Sequence, residues 1–152
     1  MTSTLRDEFS IMNTLIELMK QEQRLLVSAD TDGLTAITPQ KSQLINQMAA
    51  LSSVRHQALE QAGFAPEDAS MAAWLARAGD KPAESLWQDL LAATRQAKEL
   101  NRVNGMLIAK QLNHTQTQIA AMRTPAGGAD AAVYGATGQT STGQTSRRLA
   151  VG

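Results

Sequence analysis

The chain reads as an all-α protein: an elongated antiparallel helical bundle of three long helices plus a short connector helix, followed by a flexible C-terminal tail. Three observations predict this. Apolar residues recur at alternating spacings of three and four over three long stretches, the pattern of one helix face. The apolar set is Leu, Ile, Met and Ala with aromatics at only 3%, which suits helix packing better than sheets. Clusters of Asp, Gly and Pro stand where the stripes stop.

The first stripe is Leu5, Phe9, Met12, Ile16, Met19, Gln23 and Leu26, behind capping hydroxyls at Thr2 to Thr4, and it predicts a helix from about Ser3 to Ala29. Asp30, Asp32 and Gly33 supply the turn. The second stripe runs through Leu34, Ile37, Lys41, Leu44, Met48, Leu51, Arg55 and Ala58, and Gly63 closes it. Pro39 falls inside it, where proline either starts a helix or kinks it; the stripe already running through Leu34 and Ile37 favours a kink or a short leading turn. Pro66-Glu67-Asp68 opens a short connector helix with Met71, Trp74 and Leu75 on one face, and Gly79 ends it.

The third long helix is expected from about Ala83 to Met122, about 60 Å at 1.5 Å per residue. Its stripe is Leu86, Leu90, Ala93, Ala97, Leu100, Asn104 and Leu107, slipping one residue to Ile108, Leu112, Thr115, Ile119 and Met122. The slip falls at Asn104-Gly105-Met106, where Asn101, Asn104 and Gly105 are all weak helix formers. These residues mark a point where one packing seam hands over to another. They keep the helix locally soft if they line a contact, or face water if they do not. The polar stripe members Gln23, Lys41, Arg55, Asn104 and Gln111 read as seam-edge residues whose stems pack while their ends reach water, or as single polar residues that fix register at some cost in stability. Residues 1–123 therefore make a helical domain, and residues 124–152 a Gly/Thr/Ser-rich tail too poor in apolar bulk to offset its ordering entropy.

Composition excludes several functions. The chain has 152 residues, enough for one core, with 14 basic and 14 acidic residues and no net charge. A nucleic-acid binder shows a basic stripe; the densest basic segment here, Arg95 to Lys110, is interrupted by Glu99 and reads as a solvated helix face. No apolar run approaches the roughly 20 residues that span a bilayer, no secretory signal opens the chain, and cysteine is absent. Cytoplasmic is the expected location. His56 and His114 stand in no metal-ligand spacing, and Glu67-Asp68 reads as a helix-start charge pair rather than a catalytic dyad. No phosphate-binding glycine loop or nucleophile triad is legible. The chain is expected to be no enzyme and to need no cofactor or metal.

Two short motifs complete the pattern: N-x-x-N-G-x-L-I at Asn101 to Ile108, and Y-G-x-x-G-Q at Tyr134 to Gln139. With the helical hairpin ahead of them, they make the chain resemble the FlgN family of flagellar export chaperones over nearly its whole length. Ala136-Thr137 stand where Pro-Asp is usual, and a further Gly/Thr/Ser stretch follows. The resemblance implies a non-catalytic cytosolic protein that holds hook-filament junction (hook-associated) proteins by their amphipathic C-terminal helix. On that basis Asn101, Asn104, Gly105, Leu107, Ile108, Leu112, Ile119 and Met122 are expected to bind the exported partner. It further implies docking on the cytosolic domain of the flagellar export gate through Tyr134, with Gly135 and Gly138 letting the backbone turn beside the ring. A helical adaptor of another bacterial system is the competing reading.

Overall fold

A computed structural model describes residues 2–123. They form four α-helices and no strand: α1 (Thr2–Ser28), α2 (Thr31–Gln61), α3 (Met71–Ala78) and α4 (Lys81–Arg123), with a 3-10 turn at Asp68–Ser70 leading into α3. The three long helices fall within a residue or two of the stripes that predict them, except that α2 starts earlier than its proline suggests. Met1–Asn113 is one compact unit; within the described residues the second contributes the last turns of α4, from His114 onward. Tyr134, Gly135 and Gly138 lie outside the described residues.

α1 and α2 form an antiparallel hairpin whose turn is tighter than its sequence suggests. The amide of Ala29 donates to Leu26 O at 3.2 Å and that of Asp30 to Leu25 O at 3.0 Å, the pair of bonds that terminates a helix in a left-handed residue. That residue is Ala29, at φ 54°. Asp30 immediately caps α2, its Oδ1 accepting the Gly33 amide at 2.9 Å. Asp32 and Gly33 therefore already belong to the helix. A Cβ at Gly33 would come within 2.6 Å of Leu25 Cδ2, so the end of that side chain would have to move aside.

Pro39 neither starts α2 nor interrupts it; the helix runs from Thr31 through it to Gln61. The missing proline N–H deprives the Thr35 carbonyl of its usual donor. Side chains on either side bond the carbonyls around it: Thr38 Oγ1 donates to Leu34 O at 2.7 Å and Gln40 Nε2 to Ala36 O at 3.3 Å. With Asp30 fixing the start by its cap, the early stripe residues Leu34 and Ile37 stay helical, and Ile37 is buried.

The connector returns the chain to the end of the hairpin where α1 begins. Asp80 holds this junction. Its Oδ1 accepts the Ala83 amide at 3.0 Å, capping α4, and its Oδ2 accepts the Thr2 hydroxyl at 2.8 Å. The two bonds stabilise the charged carboxylate and lower its pKa. Pro82 sits in the first turn of α4, where its lost donor costs nothing. From there α4 runs parallel to α1 and antiparallel to α2. Leu5, Leu59, Met71 and Leu75, each at most 1% exposed, pack with Trp87 in the core. Each such side chain contributes about 1.5–3 kcal/mol on burial.

The face α4 turns to the bundle is Leu90, Ala93, Ala97, Leu100, Asn104, Leu107 and Gln111, all buried or half-buried. It keeps intervals of three and four without a break, so the expected slip at Asn104-Gly105-Met106 does not occur. A seam of period 3.5 drifts around a 3.6-residue helix by about 20° per heptad, and helices follow it by winding around one another. The residues Ile108 and Leu112 belong to a separate face.

Candidate functional site

The site residues expected on α4 divide into two groups. Asn104 is 1% exposed, and Leu107 is half-buried beside it. Asn101, Gly105, Ile108 and Leu112 face outward, with Met106 60%, Ile108 43% and Leu112 58% exposed. In the second unit Ile119 and Met122 are exposed too, Met122 to 83%. A Cβ placed on Gly105 would meet nothing within 4 Å. Large aliphatic side chains that recur at helical spacing and remain in water are the feature of α4 that folding does not account for.

Asn104 is neither soft nor solvated; among the readings of the sequence, that of a polar seam residue fixing register describes it. Its Nδ2 donates to Met19 O at 3.0 Å and to Glu22 Oε2 at 2.8 Å. Glu22 also takes Lys41 Nζ at 2.8 and 3.0 Å. One carboxylate thus joins all three long helices, with Lys41 and Glu22 both largely covered. Gln111 gives its amide to Leu26 O, in the last turn of α1. A short polar side chain that reaches a neighbouring backbone fixes the register of two helices. The weak helix formers of the N-x-x-N-G motif therefore serve different ends: Asn104 locks α4 to α1, while Asn101 and Gly105 border the uncovered face.

A second polar group lies at the other end of the bundle. Arg55 was expected to reach water, yet it is 3% exposed. Its Nε donates to both Glu8 oxygens at 2.9 and 3.2 Å, its Nη1 to Asp68 at 2.6 Å and its Nη2 to Ser52 Oγ at 3.0 Å. The guanidinium also lies 4.9 Å from the centre of the Trp87 ring. His56 Nε2 pairs with Asp68 at 2.9 Å. Asp68 is a charge at the start of the 3-10 turn, as expected, and also the clasp by which that turn is held to α2. Burial pushes the Glu8 carboxyl above its ordinary value, more than its bond to Arg55 pulls it down. At Asp68 the bonds to Arg55 and His56 outweigh desolvation and lower the pKa. Arg55 is held charged: desolvation works against it, and Glu8 and Asp68 more than compensate.

Beside this group a cavity of about 250 Å³ is lined by Met48, Ser52, Arg55, Trp87, Leu91 and Thr94, among others. The polar groups around it have structural partners: Ser52 Oγ accepts from Arg55 Nη2 at 3.0 Å and the Thr94 hydroxyl donates to Leu90 O at 2.8 Å. Among the described residues no cluster of three or more His, Asp or Glu could hold a metal ion, and no helix is long and apolar enough to cross a membrane.

Glu8 went unread in the sequence because it adjoins the stripe residue Phe9 and a lone acid beside a stripe reads as solvated. One signal was available: Glu8, Leu15 and Glu22 recur every seven residues, in phase with the hairpin contact.

Comparison with known proteins adds two similarities. A family model described as FlgN protein matches residues 1–142. The chain is also 28% identical over 135 residues to the flagella synthesis protein FlgN of Escherichia coli (strain K12), covering 88% of this chain and 84% of that one. No solved structure matches.

Proposed function

The chain belongs to the FlgN family, and from that premise we propose that it is a cytoplasmic export chaperone for hook-associated flagellar proteins. It receives their amphipathic C-terminal helix, keeps them from assembling early and delivers them to the cytosolic domain of the export gate. The observation that carries this reading is the exposed apolar set on α4: Ile108 and Leu112 in the first unit, Ile119 and Met122 in the second.

An exported subunit with a free amphipathic helix presents an apolar stripe that would otherwise self-associate. Laying it against apolar residues of α4 masks it, in the helix-in-groove mode. Asn101 and Gly105 border the contact, and the small Gly105 lets a partner backbone come close. Asn104 and Leu107 act from beneath, holding α4 in place. Met106 and Met122, both unbranched, adapt to more than one partner surface. Tyr134, flanked by Gly135 and Gly138, docks the loaded chaperone on the gate, where a ring with a hydroxyl makes a compact anchor.

The test separates binding from folding. Ile108→Glu, Leu112→Glu and Ile119→Glu each place an unpaired charge in an apolar contact and should weaken binding of a hook-associated protein by at least about tenfold. Thermal stability should change little, because the wild-type side chains already sit in water. Tyr134→Ala should leave that binding intact and weaken gate docking. Variants that unfold the domain yet bind normally after refolding would refute the assignment of α4, and equal gate affinities would remove Tyr134.

A further inference from the structure

The methionines of the chain meet different surroundings. Met12, Met19 and Met71 are buried in the core, and Met48 is half-buried. Met106 and Met122 are exposed, to 60% and 83%. Met106 is set apart by a charged donor. Arg102 Nη1 donates to its Sδ at 3.0 Å from one helical turn away, where side chains four residues apart meet. Glu99 aims the guanidinium: its two oxygens take Arg102 Nε at 2.9 Å and Nη2 at 2.7 Å. That fork leaves Nη1 directed at the sulfur. Arg102 and Glu99 are both exposed, so a small solute in water reaches the sulfur and the cation beside it together.

We infer that Met106 is a reversible oxidation site for peroxides and that Arg102 promotes its oxidation. The thioether sulfur attacks one oxygen of hydrogen peroxide, and the S–O bond forms as the O–O bond breaks. The departing hydroxide takes the proton of the new S–OH group and leaves as water. Sulfur gives up two electrons and the peroxide accepts them, so thioether and peroxide become sulfoxide and water. Negative charge develops on the departing oxygen, and a guanidinium N–H already at the sulfur stabilises it. One sulfur lone pair takes Arg102; the second is left for the attack. The product is accommodated too, because the sulfoxide oxygen accepts more strongly than the thioether and meets the same N–H. An oxygen gained at Met12, Met19 or Met71 would instead put an unpartnered polar group in the core. At Met106 it stays on the surface, where methionine sulfoxide reductases can remove it. This inference is independent of the docking role proposed above.

The experiment treats the full chain with dilute hydrogen peroxide at neutral pH and follows sulfoxide at each methionine by peptide mass spectrometry. Met106 should oxidise about threefold faster than Met122 although Met122 is the more exposed, a ratio of the size one hydrogen bond supplies. Arg102→Gln should slow Met106 about threefold and leave Met122 unchanged. Glu99→Gln, which keeps the cation but loosens its aim, should fall between, and circular dichroism should be the same for all three proteins. A pair of reductases, one for each sulfoxide epimer, should return Met106 to the thioether. Met106 reacting no faster than Met122, or at an unchanged rate in Arg102→Gln, would overturn the role given to Arg102. A sulfoxide that survives both reductases would overturn reversibility.

Discussion

The two halves of α4 within the first unit treat polar and apolar groups in opposite ways. Between Ala83 and Ala97 the helix covers a charged group, with Trp87 over Arg55 and the Glu8 carboxylate wholly inside. Between Gly105 and Leu112 it leaves Met106, Ile108 and Leu112 in water. Charge inside is costly unless every partner is present, and apolar surface outside forgoes about 25 cal/mol per Å². The first half is committed to its own neighbours, whereas the second is held by Asn104 and Gln111 and keeps its other face available. The contrast separates the residues that fix the fold from those free to meet a partner.

The largest effect should come from breaking the covered half. Arg55→Met leaves Glu8 buried without its cation and should cost about 3–5 kcal/mol in urea denaturation, while adding Glu8→Leu should restore most of the loss. A cost as small as that of a typical surface substitution, about 0.5 kcal/mol, would erase the distinction between the halves.

A smaller effect should appear on titration, because the two carboxylates at that end oppose each other. The folded pKa of Glu8 lies above its ordinary 4.5. Its protonated form is favoured by folding, so this contribution is present below 4.5 and is lost as pH rises through the raised value. The folded pKa of Asp68 lies below its ordinary 3.8. Its contribution is present above 3.8 and is lost as pH falls through the lowered value, in company with Asp80; that of Glu99 begins to be lost below its ordinary 4.5. Melting temperature should therefore rise as pH is lowered toward 4.5 and drop below 3.8. Glu8→Gln should flatten the rise and Asp68→Asn should soften the drop. A monotonic fall from neutrality would mean that pairing, not burial, governs Glu8.

The smallest effect sharpens the other half. Gly105→Ala should stabilise the protein by about 1 kcal/mol, since alanine is the better helix former and the added methyl meets open space. Partner binding read on the same variant then shows whether that space admits the partner: unchanged stability with lost binding would mark Gly105 as a contact residue alone.

Where the sequence was legible and where it was not follows from the range of each interaction. The long helices were visible because their stripes are local, and the hairpin followed from Asp30 and Gly33. Arg55 was misread because Glu8, its partner, is 47 residues away. That Asn104 fixes register is legible in its stripe position, but its partners are not, because its bonds go to Met19 and Glu22 of α1. Periodicity identified Ile108, Leu112, Ile119 and Met122 as a stripe, but only packing reveals that nothing in the first unit covers Ile108 and Leu112.

The seam of α4 and its exposed stripe overlap from Ile108 to Gln111 without sharing a residue. Because Ile108 follows Leu107 and Leu112 follows Gln111, changes at these neighbours should couple, whereas Asn104 and Leu112 lie far enough apart to combine nearly additively. If α4 receives a partner as proposed, a lineage could rewrite Ile108 and Leu112 to suit a new one while leaving Asn104 and Gln111 untouched. On the role proposed for α4, the choice of partner would be a heritable setting that can drift while the bonds of Asn104 and Gln111 to α1 stay in place.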